Sequence, residues 1–251
     1  MLIAGVDLAA QPKGTALAVI DWGSESAELV TLFTNATDEL ILTESKSAVK
    51  IGMDCAFGWP TEFVDFLNRH SNASSSTQVF DGGIETRRRL AYRETDRVVR
   101  QQTGRWPLSV STDRLGMTAL RCAGLLSRLA AAGRDVDRSG TGTIVEVYPG
   151  AALRYWGFET KGYRVSAEVR AQLVAKLAAT IPWLELGVHS ELMIKSCDAF
   201  DAVFAALVAR CAYLGGYEKP TGEQLNLAKI EGWIALPNLP LAHLLNFPAG
   251  S

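Results

Sequence analysis

The sequence predicts an α/β fold, a mixed sheet with helices packed on its faces. Three observations carry this. The chain opens with three strand-like runs joined by short links, later strand-like runs alternate with helical ones, and a long apolar helical run stands at residues 197–213. A hairpin start followed by α/β crossovers requires antiparallel and parallel pairing in one sheet.

The elements follow in order. LIAGVDL at 2–8 reads as a buried strand ending in an acid. AAQPKG, with Pro12 and Gly14, suits a hairpin turn into a second strand, TALAVIDW at 15–22. ELVTLFT at 28–34 is the third strand, and a helix is expected over 37–48. KIGMDC at 50–55 is the fourth strand, stopped by Gly58 and Pro60. A short helix at 61–70 precedes SNASSST at 71–77, a polar low-complexity loop. Residues 85–105 carry seven arginines: Arg87, Arg88, Arg89, Arg93, Arg97, Arg100 and Arg105. Residues 114–132 read as a helix, with Leu115, Leu120, Leu125, Leu126 and Leu129 at helical spacings. TIVEVYP at 143–149 is the fifth strand, stopped by Pro149. Helices are expected over 166–180 and 197–213, the latter ended by Gly215 and Gly216. Residues 230–237 read as a short final strand. Residues 1–251 thus read as one domain with an inserted helical region over about 61–140.

At 251 residues and 48% hydrophobic, the chain has enough apolar material for a substantial core. A net charge of −2 argues against a strongly basic coat but leaves room for a local basic face. No charged leader with a long apolar core opens the sequence, and no stretch approaches the ~20 apolar residues of a membrane span. The expectation is a soluble, cytoplasmic protein with no membrane partner. Cys55, Cys122, Cys197 and Cys211 stand far apart, form no C-x-x-C pair, and read as reduced core thiols. His70, His189 and His243 are scattered, which leaves carboxylates as the candidate metal ligands.

Asp7 and Asp54 each end an apolar strand, where α/β proteins build ligand sites. Glu146 lies inside the apolar fifth strand. Asp198 and Asp201 are spaced i, i+3 at the start of the 197–213 helix, so at ~100° per residue they share a face. That face continues as Phe204, Ala205 and Val208. Buried acids repel one another unless a cation lies between them, and carboxylates suit Mg²⁺ or Mn²⁺. For any single acid a helix cap or a buried arginine partner is an equally good account. The combination points to a shared cation site of Asp7, Asp54, Asp198 and Asp201, with Glu146 as a further candidate ligand.

GVDLA at 5–9, IGMDCAFGWP at 51–60, YRETDRVVR at 92–100, VEVYPGAAL at 145–153 and CDAFDAVFAAL at 197–207 together resemble the DUF429 family. Its members are described as predicted nucleases with a ribonuclease-H-like fold. The resemblance implies a mixed five-stranded sheet flanked by helices, with the Arg-rich helical insertion between strands four and five. It implies Asp7, Asp54, Asp198 and Asp201 as catalytic, Mg²⁺ or Mn²⁺ as cofactor, and hydrolysis of phosphodiester bonds in DNA or RNA. Glu146 lies outside the usual acid set of that fold. The Asp198/Asp201 pair resembles that of Holliday-junction resolvases of the same superfamily, which often pair, so a homodimer is a candidate state although the sequence carries no oligomer signature.

Arg89, Arg93, Arg97 and Arg100 lie at i, i+3/i+4 spacings and are expected to meet nucleic-acid phosphates from one helix face. The competing account is a solvated helix paired with Glu85, Glu94 and Asp96. Trp59 and Trp106 are candidate stacking platforms for bases, or core residues. Two other functions fit the opening strands. One is an actin- or sugar-kinase-like phosphotransferase using Asp7, Lys13, Gly14 and Thr15, although no P-loop and no second D-x-G hairpin is present. The other is a non-catalytic nucleic-acid-binding module on the same fold.

Overall fold

The computed structural model describes residues 1–72 and 82–245. Strands β1 (Leu2–Asp7), β2 (Ala16–Trp22) and β3 (Ala27–Thr34) form the expected antiparallel meander. Helix α1 (Asp38–Glu44) follows, started by Thr37, whose side chain accepts from the Leu40 N–H. Strand β4 (Lys50–Asp54) then pairs parallel to β1. Among the described residues four helices separate it from β5 (Ile144–Glu146): α2 (Thr61–Ser71), α3 (Gly83–Ala91), α4 (Glu94–Thr103) and α5 (Gly116–Ala131). Strand β5 pairs parallel to β4. Then come α6 (Pro149–Tyr155), α7 (Ala167–Thr180), β6 (Leu184–Glu185), α8 (Ser190–Lys195), α9 (Cys197–Tyr213) and α10 (Glu223–Glu231). The sheet is mixed and six-stranded, in the order β5-β4-β1-β2-β3-β6.

Three readings of the sequence need correction. The sheet gains a sixth strand, the two-residue β6, on the edge of β3. Two residues are too few to show an alternation. The fifth strand stops at Glu146 instead of running to 149, because Pro149 opens α6 at its first turn, where a missing N–H costs nothing. The final strand expected at 230–237 is divided. Residues 230–231 end α10, Gly232 takes a φ of 92°, and Ile234 and Pro237 make only isolated bridges, to Glu146 and Tyr217. The loop expected at 71–77 lies outside the described residues from 73 onward.

Side chains on β1 and β4 alternate between two cores. Ala4, Val6, Leu8, Ile51 and Met53 join the cluster containing α5's Cys122, Leu125 and Leu129. Ile3 faces the other way, into the cluster built on α9. Helix α9 lies against β1, β2 and β4 and is buried almost along its full length. Two glycines permit this seating. A Cβ on Gly5 would fall inside the backbone of Ala202 and Ala206, and one on Gly52 would lie 2.5 Å from the Ala205 carbonyl oxygen. Gly5 and Gly52 therefore face α9, and by the two-residue period of a strand so do Asp7 and Asp54.

All four cysteines are free thiols, three of them buried. Among the described residues no helix is long and apolar enough to cross a membrane.

Candidate metal centre

The acids converge because of how three elements end. Asp7 and Asp54 are paired residues in the parallel β1–β4 ladder, on strands about 4.8 Å apart, and point to the same face. On that face α9 begins. Ser196 caps it by accepting from the Ala199 N–H at 3.1 Å, which fixes the first turn that carries Asp198 and leads into Asp201. The positive end of the helix dipole thus points at the strand acids.

Their electrostatics record the crowding. Asp7 is pushed well above the usual carboxylate range by burial and then by Asp54, Asp201 and Asp198. Burial and the neighbouring Asp201 raise Asp54 to about 8. Burial raises Asp201 to about 6, against the pull of Arg164, the Tyr163 hydroxyl and the Cys197 thiol. Asp198, only half-buried, is raised by burial despite Arg170 and Arg164. None of the four makes an ion pair within 4 Å among the described residues. Asp201 is 4% exposed. Its Oδ2 accepts from Tyr163 Oη at 3.3 Å and, weakly, from Cys197 Sγ at 3.6 Å. Its Oδ1 is buried with no hydrogen-bond partner among the described residues.

Asp7 and Asp54 line a cleft of about 570 Å³. Arg105, Arg154, Arg164, Tyr148 and Tyr163 line it too. The donors approach one another without closing: among the described residues, no group of three or more His, Cys, Asp or Glu is drawn together tightly enough to hold a metal ion.

Residues 5–224 match the family described as "Protein of unknown function (DUF429)". The chain belongs to the DUF429 family. The match begins at Gly5 of β1 and runs past the end of α9, so it takes in every candidate acid of this DUF429 chain. No curated protein and no solved structure matches it significantly.

Two sets of candidates in the DUF429 chain need correction. Glu146 stands opposite Met53 in the β4–β5 ladder, and Met53 faces the core on the far side of the sheet from α9. Its carboxylate is taken by Arg93, which donates from Nη1 to Oε2 and from Nη2 to Oε1, both at 2.8 Å; the Phe57 N–H adds a third bond at 3.1 Å. Glu146 lines the same cleft as Asp7 and Asp54, but its carboxylate is committed to a buried arginine. Arg93, 2% exposed, also donates to both oxygens of Asp96 and to the Glu231 carbonyl. Burial works against its charge, and Asp96 and Glu146 outweigh it.

The expected arginine stripe fails for the same reason. The helix breaks between α3 and α4, where Tyr92 and Arg93 are extended, so Arg89 and Arg97 do not share a face with Arg93. Arg89 pairs with Glu62 at 3.4 Å and Arg97 with Glu94 at 3.3 Å, while Arg100 is exposed. The cleft arginines are others: Arg105, Arg154 and Arg164. A Gly-Tyr-Arg triplet at 162–164, in an irregular connector, was the one signal that could have pointed to Tyr163 and Arg164. Trp106 stacks on Tyr92, with ring centres 4.0 Å apart, and Trp59 packs against the α5-side core.

Proposed function

We propose that this DUF429 chain is a divalent-cation-dependent hydrolase of nucleic-acid phosphodiester bonds, built on a ribonuclease-H-like arrangement of sheet and helix. The observation that carries the reading is the buried, unpartnered Oδ1 of Asp201 beside two strand acids in a cleft. A buried acceptor left without a partner costs about 1–3 kcal/mol, more when charged, so a fold retains it where something else completes it. All-oxygen donors suit Mg²⁺ or Mn²⁺. Asp7, Asp54 and Asp201 would hold such an ion, with Asp198 at the half-buried margin. When bound, the ion would neutralise the carboxylates and act as a Lewis acid toward a phosphodiester oxygen.

The chain's own residues do the rest. The β1–β4 ladder sets the spacing of Asp7 and Asp54. The Tyr163 hydroxyl holds Asp201 Oδ2, which fixes the carboxylate rotamer and leaves Oδ1 uncommitted. The Arg164 guanidinium favours the charged form of all four acids without closing on any of them.

The phosphotransferase alternative loses its loop. The Thr15 side chain is consumed, donating to the Gln11 carbonyl and accepting from the Ala9 N–H and Arg121. A cleavage screen with Mg²⁺ and Mn²⁺ over single-stranded, duplex and branched DNA and RNA tests the proposal. Cleavage is expected with cation and lost with chelator, and Asp7→Asn is expected to abolish it while the protein stays folded. Retained cleavage in that variant, or binding of nucleic acid that ignores cations with no cleavage of any substrate, would defeat the assignment.

A further inference from the structure

Most arginines that lean into the interior are saturated by the fold. Arg170 donates to the carbonyls of Ile194, Tyr163 and Lys195, and Arg210 to those of Leu244 and Leu245. Arg121 donates to Asp38 and to the carbonyls of Ala9 and Ala36. Arg93 is enclosed by two carboxylates and a carbonyl. Arg154 differs. It projects from α6 into the cleft that Asp7 and Asp54 line, and its Nη2 is buried with no acceptor among the described residues. Its guanidinium carbon lies 5.8 Å from the centre of the Tyr148 ring, a contact that orients it and accepts no hydrogen bond.

Arg105 and Arg164 line the same cleft, and among the described residues neither makes an ion pair. Arg164 Nε has only a long bond, 3.4 Å, to Tyr163 Oη. Three guanidinium groups therefore reach one cavity with donors to spare, next to carboxylates on which they do not close. A planar fork of N–H groups matches the paired oxygens of a carboxylate or a phosphate, and the carboxylates of this cleft are not closed upon by these three, which leaves a phosphate of the substrate as the acceptor. At about 570 Å³ the cleft falls in the size class of small-ligand pockets. That volume accommodates a nucleotide or two of a single strand. Tyr148, which is only partly buried, gives it aromatic surface on which a base can stack, whereas Tyr163 belongs to the core under α9.

We propose that Arg105, Arg154 and Arg164 form a phosphate subsite that admits an unpaired nucleic-acid strand to the carboxylates. This rests on the hydrolase reading for the identity of the ligand, and it moves the nucleic-acid contact from the exposed α3–α4 face into the cleft.

The test is binding in chelator, so that no cation or cleavage enters. A fluorescent 5′-phosphorylated tetranucleotide, the same sequence inside a hairpin duplex, and a mononucleoside monophosphate are titrated against the full chain. The single strand is expected to bind most tightly, with a salt slope reporting two to three released counterions, each contributing about 0.7 for a single strand. Arg154→Gln is expected to weaken it roughly tenfold, as the loss of a charge-assisted hydrogen bond does. Arg154→Lys, which keeps the charge and loses the fork, should recover part of that loss. Thermal unfolding confirms that each variant is folded, and Arg164→Gln, on an exposed side chain, gives a second weakening if Arg154→Gln is not. Equal binding by wild type and both glutamine variants would overturn the subsite. So would tighter binding of the duplex or of the mononucleotide, or a larger loss from Arg89→Gln and Arg100→Gln. Intact cleft binding with no cation-dependent cleavage would remove the hydrolase reading alone; cation-dependent cleavage without this arginine dependence would remove the subsite alone.

Discussion

Glu146 and Asp201 are both almost fully buried, 2% and 4% exposed; Glu146 lines the cleft, and Asp201 bonds to Tyr163, which lines it too. Every lone pair that matters on Glu146 is met, by two guanidinium bonds at 2.8 Å and a backbone N–H. Asp201 has one oxygen on Tyr163 and the other on nothing among the described residues. The pair separates two uses of a buried acid. The first fastens the structure together: through Arg93 and Asp96 it ties α4 to the end of β5, and the Glu231 carboxylate ties the C-terminal segment to Thr61 and Glu94. The second is left incomplete, among neighbours of its own sign. Burial alone does not distinguish them; the presence of a countercharge does.

The comparison can be broken most forcefully at Arg93. Arg93→Met leaves Glu146 and Asp96 buried without a countercharge, and removing one member of a buried pair costs about 3–5 kcal/mol. Chemical denaturation should show that loss, and unaltered stability would mean that the two groups are not different in kind. The opposite sign is expected at Asp54. Asp54→Asn removes a carboxylate whose ionisation the folded state resists, so in chelator at pH 8 the variant should melt higher than wild type. Each kcal/mol gained raises Tm by about 2–4 °C in a chain of this size. The proposed cation site predicts a rise in Tm with Mn²⁺ in the wild type that this variant should lack.

A subtler contrast lies in pH. Asp54 at about 8 and Asp201 at about 6 both stand above their unfolded value near 4. Between pH 4 and 8 the folded state holds protons that the unfolded state has shed, so stability in chelator declines as pH rises through that window. Cation binding displaces those protons, so the Mn²⁺-induced gain in Tm should grow from pH 6 to pH 8. A gain that is flat over that range would separate the cation from these acids. The smallest effect is expected at the exposed pair Arg89–Glu62, where Arg89→Gln should change stability by at most about 1 kcal/mol in denaturant titration.

The acids were legible because their chemistry conflicts with their neighbours. An aspartate closing IAGV or IGM, or repeated at i, i+3 on an apolar helix, stands out in the chain itself. The partner of Glu146 did not, since Arg93 lies 53 positions away and looks like any other arginine of its run. The α3–α4 break was hidden for a related reason. There Asp96 accepts from the Arg93 backbone N–H while the Arg93 side chain reaches Glu146, and no glycine or proline marks the break. Arg105, Arg154 and Arg164 reach the cleft from two connectors and a seven-residue helix, where no periodicity selects one face. Strand β6 and the broken 230–237 segment escaped because two residues cannot alternate and Gly232 interrupts an otherwise strand-like pattern.

The close seating of α9 on Gly5 and Gly52 has an evolutionary corollary. A relative can keep all four aspartates in its sequence and still hold them farther apart, because a single methyl group at either position would meet the α9 backbone and lift the helix. The two positions without a side chain are the sharper diagnostic of which family members still bring their aspartates together.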